Sequence, residues 1–180
     1  MRSQHYILTG AFIFCTVIAL SQAPAPLSPS IEQRVDGLLS KMSLDDKLKL
    51  IGGVDDFYTR AIPSIGLKRL KMSDGPVGVR TFGPAPAYTA GVALAASWDP
   101  DLAQRVGASL GDDARARGVN FLLAPGVNIY RSPLNGRNME YFGEDPYLAG
   151  RIAIGYIDGV QSKGVSATVK HFAEIGRAHV

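Results

Sequence analysis

The run Val119-Asn120-Phe121-Leu122-Leu123-Ala124 constrains the fold more than any other feature, because it is apolar at every position but Asn120 and stops at Pro125-Gly126. A strand with one wet face alternates apolar and polar residues, whereas an unbroken apolar run reads as a strand buried on both faces, as in parallel sheets covered by helices. Parallel strands need long, usually helical crossovers, and the flanks supply them. Asp99-Pro100 predicts a capped helix with proline at its first position, running to about Arg117 and Gly118. Pro146 to Lys163 predicts another, with Leu148, Ile152, Ile157 and Val160 on its buried side and Gly164 after its end. Leu67–Met72, Val92–Ala96 and Val165–Val169 predict three further strands.

Strand, polar loop, helix, strand is the order of an α/β fold. A doubly wound sheet would place a glycine-rich phosphate turn after an early strand, and no Gly-x-Gly-x-x-Gly is present. A (β/α)8 barrel instead spreads its chemistry over the carboxyl ends of several strands, where Asp74, the segment Arg131 to Glu140 and Lys170-His171 all fall. The expected fold is therefore an incomplete (β/α)8 TIM-type barrel. Such a barrel takes about 250 residues, so this chain supplies only its N-terminal portion.

The amino terminus has a basic start at Arg2, an apolar run from Tyr6 to Leu20 and the small-residue pattern Ser21-Gln22-Ala23 before Pro24. That predicts a secretory signal peptide over 1–23 and a secreted or periplasmic protein, since the run is shorter than the roughly 20 apolar residues of a membrane span. Cys15, the only cysteine, lies in this segment, so no disulfide framework is expected. Residues 24–29 read as an extended leader, and 30–173 as the barrel portion. Ile31, Val35, Leu38, Leu39 and Met42 recur at helical spacing, and Ser43 with Asp46 predicts a capped second helix ended by Gly52-Gly53. With 46% hydrophobic and 19% charged residues, and basic side chains scattered among acidic ones, the composition is that of a folded chain without a nucleic-acid stripe. No metal cluster or cofactor motif is evident, and nothing sets the oligomeric state.

Three clusters carry the candidate chemistry. Asp74, in Ser73-Asp74-Gly75-Pro76, is open to two readings: a turn residue accepting backbone hydrogen bonds, or a carboxylate accepting from adjacent sugar hydroxyls while Arg80 donates from the next bend. In the loop from Asn128 to Asp145, Arg137 and Glu140 are spaced to pair. Arg131 fits a salt bridge within the loop as well as a site role, and Glu144 and Asp145 suit the cap of the next helix. Lys170 and His171 follow the last strand, and both can face a ligand only if the backbone kinks there.

The run Asp74-Gly75-Pro76 with Arg80, then Ala95-Ala96-Ser97-Trp98-Asp99, Leu123-Ala124-Pro125, Arg131-Ser132-Pro133 with Gly136-Arg137, Glu140, Gly143-Glu144-Asp145-Pro146 and Lys170-His171-Phe172-Ala173 resemble, in that order, the first domain of glycoside hydrolase family 3, the β-glucosidases, β-xylosidases and their relatives. The resemblance spans Ile31 to Ala173. It implies that Asp74, Arg80, Arg137, Lys170 and His171 bind the sugar whose bond is cut, and that the substrate is a β-linked glycoside of the glucosidase and xylosidase branch; Glu140 and Arg131 are expected in support from their place in the loop. It also implies an Asp nucleophile after a later strand and an acid/base carboxylate in a following domain. Neither is found in this chain, and Trp98-Asp99 has the wrong order and place.

After Ala173 the resemblance stops. Glu174 to Val180 reads as the translation of a sequencing-adapter sequence joined to a gene, so 174–180 is expected to be a non-native tail and His179 no ligand. A partial barrel leaves an unpaired strand and uncovered helix faces, so poor solubility and no activity are expected of the chain alone. Two other readings compete: a non-catalytic carbohydrate-binding protein, and an aldolase-type barrel using Lys170 as a Schiff-base amine, which wants a desolvated site.

Overall fold

A computed structural model describes residues 29–173; the expected signal peptide, the leader as far as residue 28 and the tail 174–180 lie outside the described residues. The chain divides into two units between Leu39 and Ser40. The first contributes α1 (Pro29–Leu39), which carries Ile31, Val35, Leu38 and Leu39 as expected and ends before Met42.

The second unit begins with α2 (Leu44–Ile51), closed by the expected capping box. Asp46 N–H donates to Ser43 Oγ at 3.1 Å, and Ser43 N–H donates to Asp46 Oδ2 at 3.2 Å, which satisfies two otherwise orphaned donors. Gly53 does more than stop this helix, because it opens an antiparallel hairpin of β1 (Gly53–Val54) and β2 (Tyr58–Thr59). That hairpin displaces the first expected strand. Thr59 N–H donates to Leu70 O, and Leu67 N–H to Ile62 O, so most of the Leu67–Met72 run is spent on local pairing. The parallel strand, β3 (Met72–Asp74), starts where the expected one ends.

Val92–Ala96 is not a strand. It lies in a short helix, α3 (Gly91–Ala95), with Gly91, Leu94 and Ala95 buried at helical spacing. Alanine and leucine are strong helix formers, and a short apolar run has no period that separates the two structures. The long helix α4 (Pro100–Ala116) is capped by Asp99, whose Oδ1 accepts from Leu102 N–H at 2.9 Å. The apolar run becomes β4 (Phe121–Leu123), Asp145 caps α5 (Pro146–Gln161), and β5 (Ser166–Ala167) follows.

β3, β4 and β5 form one parallel sheet in chain order, with Asp74 beside Leu123 and Leu122 beside Ala167. The core lies between this sheet and the α4–α5 pair, around Leu110, Leu122, Ile152, Tyr156 and Val160. α5 buries Ile152 and Val160 as expected, but Leu148 and Ile157 are only partly covered, and Gly155 and Gly159 are part of its buried face. A Cβ at Gly159 would collide with the Gln104 carbonyl oxygen, and one at Gly155 with the Pro100 carbonyl oxygen. The two helices therefore meet backbone to backbone, and branched side chains would force them apart. No described helix is long and apolar enough to cross a membrane.

Candidate functional site

The site assembles where β3 and β5 end on either side of β4. Asp74 is the last residue of β3, and the chain folds straight back past it. Arg80 N–H donates to Asp74 O at 3.2 Å, Asp74 N–H to Thr81 Oγ1 at 3.2 Å, and Thr81 N–H to Ser73 Oγ at 3.3 Å. These bonds hold Arg80 beside the carboxylate. Tyr156, fully buried on α5, donates its hydroxyl to the carbonyls of Gly75 at 3.2 Å and Pro76 at 3.4 Å, pinning the turn to the core. Gly75 approaches the buried Leu122 side chain closely, and a Cβ there would force that side chain to shift.

Lys170 comes from the far side of β4. Its N–H donates to Pro125 O at 3.0 Å and its carbonyl accepts from Val127 N–H at 2.8 Å, so the chain beyond β5 continues alongside the chain beyond β4. From there its ammonium reaches over the end of β4 to Asp74 Oδ1, while Arg80 holds Oδ2. Asp74 and Lys170 are largely buried, at 15% and 14% side-chain exposure, and Arg80 is open at 64%. Burial by itself pushes the Asp74 carboxyl up, but Lys170 and then Arg80 outweigh it and hold the group below the usual carboxylate range.

Arg137 and Glu140 pair as their spacing predicts, on a single 3-10 turn over Asn138–Glu140, with Glu140 buried. The Glu140 carboxylate raises the Arg137 guanidinium further above its already high value. A cavity of about 230 Å³ lies between the two clusters, lined by Pro76, Val77, Arg80, Arg137, Met139 and Glu140. Its lining combines two guanidinium donors and a carboxylate with the apolar side chains of Pro76, Val77 and Met139.

His171 joins this assembly, and the peptide linking it to Lys170 is cis. Lys170 turns to Asp74, while His171 Nδ1 lies 3.0 Å from Asn128 Oδ1 and 3.2 Å from the Tyr141 hydroxyl. Burial, then the charges of Lys170 and Arg137, hold the imidazole below its ordinary value, against the opposing pull of Glu140 and Asp74. Charges from all three sequence clusters thus act on this one ring. Arg131 is placed apart: it is exposed and lines a separate groove with Tyr130, Pro133, Gly143 and Glu144, and it makes no ion pair among the described residues.

Asn128, Tyr141, Tyr156 and Thr81 are the members of the site that sequence reasoning missed. Only Asn128 carried a signal, as a polar residue just past a strand end. Among the described residues, no three His, Cys, Asp or Glu side chains gather where they could hold a metal ion.

The family described as "Glycosyl hydrolase family 3 N terminal domain" matches residues 70–180. A β-glucosidase of Rhizobium radiobacter is 45% identical over 144 residues, covering 77% of this chain and 18% of its own length. β-Glucosidase BoGH3A of Bacteroides ovatus is 45% identical over 167 residues, covering 83% of this chain and 22% of itself. Among solved structures, the β-D-glucoside glucohydrolase of Trichoderma reesei aligns with a TM-score of 0.74 at 34% identity, over 82% of this chain and 22% of that one. β-Glucosidase 3B of Thermotoga neapolitana, in complex with α-D-glucose, aligns with a TM-score of 0.68 at 36% identity, over 77% and 23%. The chain spans about a fifth of the length of the curated relatives it matches. Its three parallel strands are the N-terminal portion of a (β/α)8 barrel. With a match that runs from the approach to β3 past Lys170 and His171, the chain belongs to glycosyl hydrolase family 3.

Proposed function

We propose that the full-length protein of which this chain is part hydrolyses terminal, non-reducing β-linked glycosides, glucosides or xylosides, with retention of configuration, and that Asp74, Arg80, Arg137, Lys170 and His171 hold the sugar whose bond is cut. The observation that carries this reading is the Asp74 carboxylate, held by Lys170 and Arg80 at the end of a barrel strand and adjoining a cavity lined by Arg80, Arg137 and Glu140. The relatives named above are β-glucosidases, one of them solved with glucose bound, which supports the substrate class.

Retention requires one carboxylate as nucleophile and another as acid/base, about 5–5.5 Å apart. Asp74 and Glu140 suit neither role. Both are committed to cations, and the Asp74 carboxyl, held below its usual range, makes a poor proton donor. The reacting carboxylates are accordingly assigned outside this chain, which by itself is expected to turn nothing over. Lys170 spends its ammonium on Asp74, and an amine held in an ion pair is not free to attack a carbonyl.

The proposal includes export, with removal of 1–23; an amino-terminal sequence of the mature protein beginning before Pro24 would count against it. The test of function is the full-length protein assayed on aryl β-glucoside and aryl β-xyloside, with the first-formed anomer read by NMR. Hydrolysis with the β-anomer appearing first is the expected result. Sugar binding without turnover would favour a non-catalytic carbohydrate-binding protein, and an α-anomer first would overturn the retaining mechanism.

A further inference from the structure

His171 sits among donors, and what the site needs from it is set by a neighbour on another strand. The Asn128 side-chain amide grips the backbone of His171 at both ends: His171 N–H donates to Asn128 Oδ1 at 2.8 Å, and Asn128 Nδ2 donates to His171 O at 3.4 Å. Those two bonds fix the orientation of the amide, because only an oxygen accepts from a backbone N–H and only an amide nitrogen donates to a carbonyl. The same Oδ1 lies 3.0 Å from the ring Nδ1. A bare Nδ1 would set its lone pair against that oxygen, whereas a protonated Nδ1 donates to it. The Tyr141 hydroxyl, 3.2 Å from Nδ1, has an oxygen that tolerates the same proton. Nε2 has no hydrogen-bond partner among the described residues.

We infer that Asn128 is a positioning residue that holds His171 as the neutral Nδ1–H tautomer, so that Nε2 presents a lone pair to a hydroxyl of the bound sugar. The sugar half of this inference rests on the reading given under Proposed function; the tautomer half does not. The polarity complements the rest of the site, since Lys170, Arg80 and Arg137 can only donate and Asp74 can only accept. A sugar hydroxyl that accepts from a cation still has a proton to give, and Nε2 takes it. The ring holds this form among charges of both signs: Lys170 and Arg137 disfavour a second proton, and Glu140 and Asp74 favour it. Tyr141 packs edge-on against the ring, with centroids 6.0 Å apart, and limits its rotation.

The test uses the full-length protein with 15N-labelled histidine, the His171 signals being assigned by their loss in H171Q. Wild type is expected to show a protonated Nδ1 and a bare Nε2. Asn128→Asp keeps the oxygen acceptor at the same size, so Nδ1 stays protonated, but its charge promotes the imidazolium and removes the Nε2 lone pair. KM for an aryl β-glucoside should then rise about tenfold, the loss of one hydrogen bond, at a pH where wild type is unaffected, with kcat changed much less. Asn128→Ala should release the ring into a mixture of tautomers. A wild-type ring protonated on Nε2, or an Asn128→Asp pH profile that coincides with wild type, would overturn the inference. If the tautomers behave as stated and no glycoside is bound, the positioning role stands and the sugar reading fails.

Discussion

Asp74 and Glu140 are both carboxylates held by cations at the mouth of the same barrel, and they are built by opposite routes. Glu140 meets Arg137 within one turn of chain, a pairing that spacing alone arranges. Asp74 meets Lys170 across 96 positions of sequence, and only the parallel order β3-β4-β5 brings the two together. The local pair orients one guanidinium. The distant pair ties two strands of the barrel and fixes where an acceptor stands among donors, so the charge balance of the site depends on the fold being right.

That contrast ranks the substitutions. Asp74→Asn in the full-length protein leaves the largely buried Lys170 without its counter-charge. It is expected to cost about 3 kcal/mol of stability and to weaken glucose binding roughly a hundredfold, read by calorimetry; a loss of only severalfold would place Asp74 outside the site. The same residue sets the acid limb of stability. Its folded pKa lies below the ordinary 3.8, so its stabilisation is complete above that value and is lost as pH falls through the folded pKa. Melting curves of wild type and Asp74→Asn should accordingly converge as the pH falls below about 4. Glu140→Gln should do less, costing about 1 kcal/mol and roughly tenfold in KM, because Arg137 keeps a neutral acceptor. An effect equal to that of Asp74→Asn would break the comparison.

Which parts of this could be read from sequence follows from the same distinction. Caps at Ser43, Asp99 and Asp145 are local, and each forms as its sequence predicts. The apolar run at Val119–Ala124 declares a parallel strand, but burial on both faces is not what forms: Leu122 is fully buried, while Phe121 and Leu123, on the other face of β4, are only partly covered. Val92–Ala96 misleads, since five apolar residues fit a helix face as well as a strand, and packing of Leu94 and Ala95 decides. Leu67–Met72 misleads for a different reason: Leu67 and Leu70 are taken by Ile62 and Thr59, partners that no periodicity announces. Asp74, Arg80, Arg137, Lys170 and His171 were legible as polar residues at strand ends, and the structure gathers all five. Arg131 shares that placement in sequence, yet it faces another groove. Tyr141 was illegible, and Asn128 showed only as a polar residue past a strand end, because their contacts to His171 exist only once two strand ends lie side by side.

The convergence of Asp74 and Lys170 is tested most directly by a double-mutant cycle in the full-length protein, using Asp74→Asn, Lys170→Met and the pair, with unfolding free energy and glucose affinity measured for each. Residues in contact couple, and a coupling of at least about 1 kcal/mol is predicted in both quantities. Effects that add to within about 0.5 kcal/mol would show that the two side chains act apart, and would contradict the site described here.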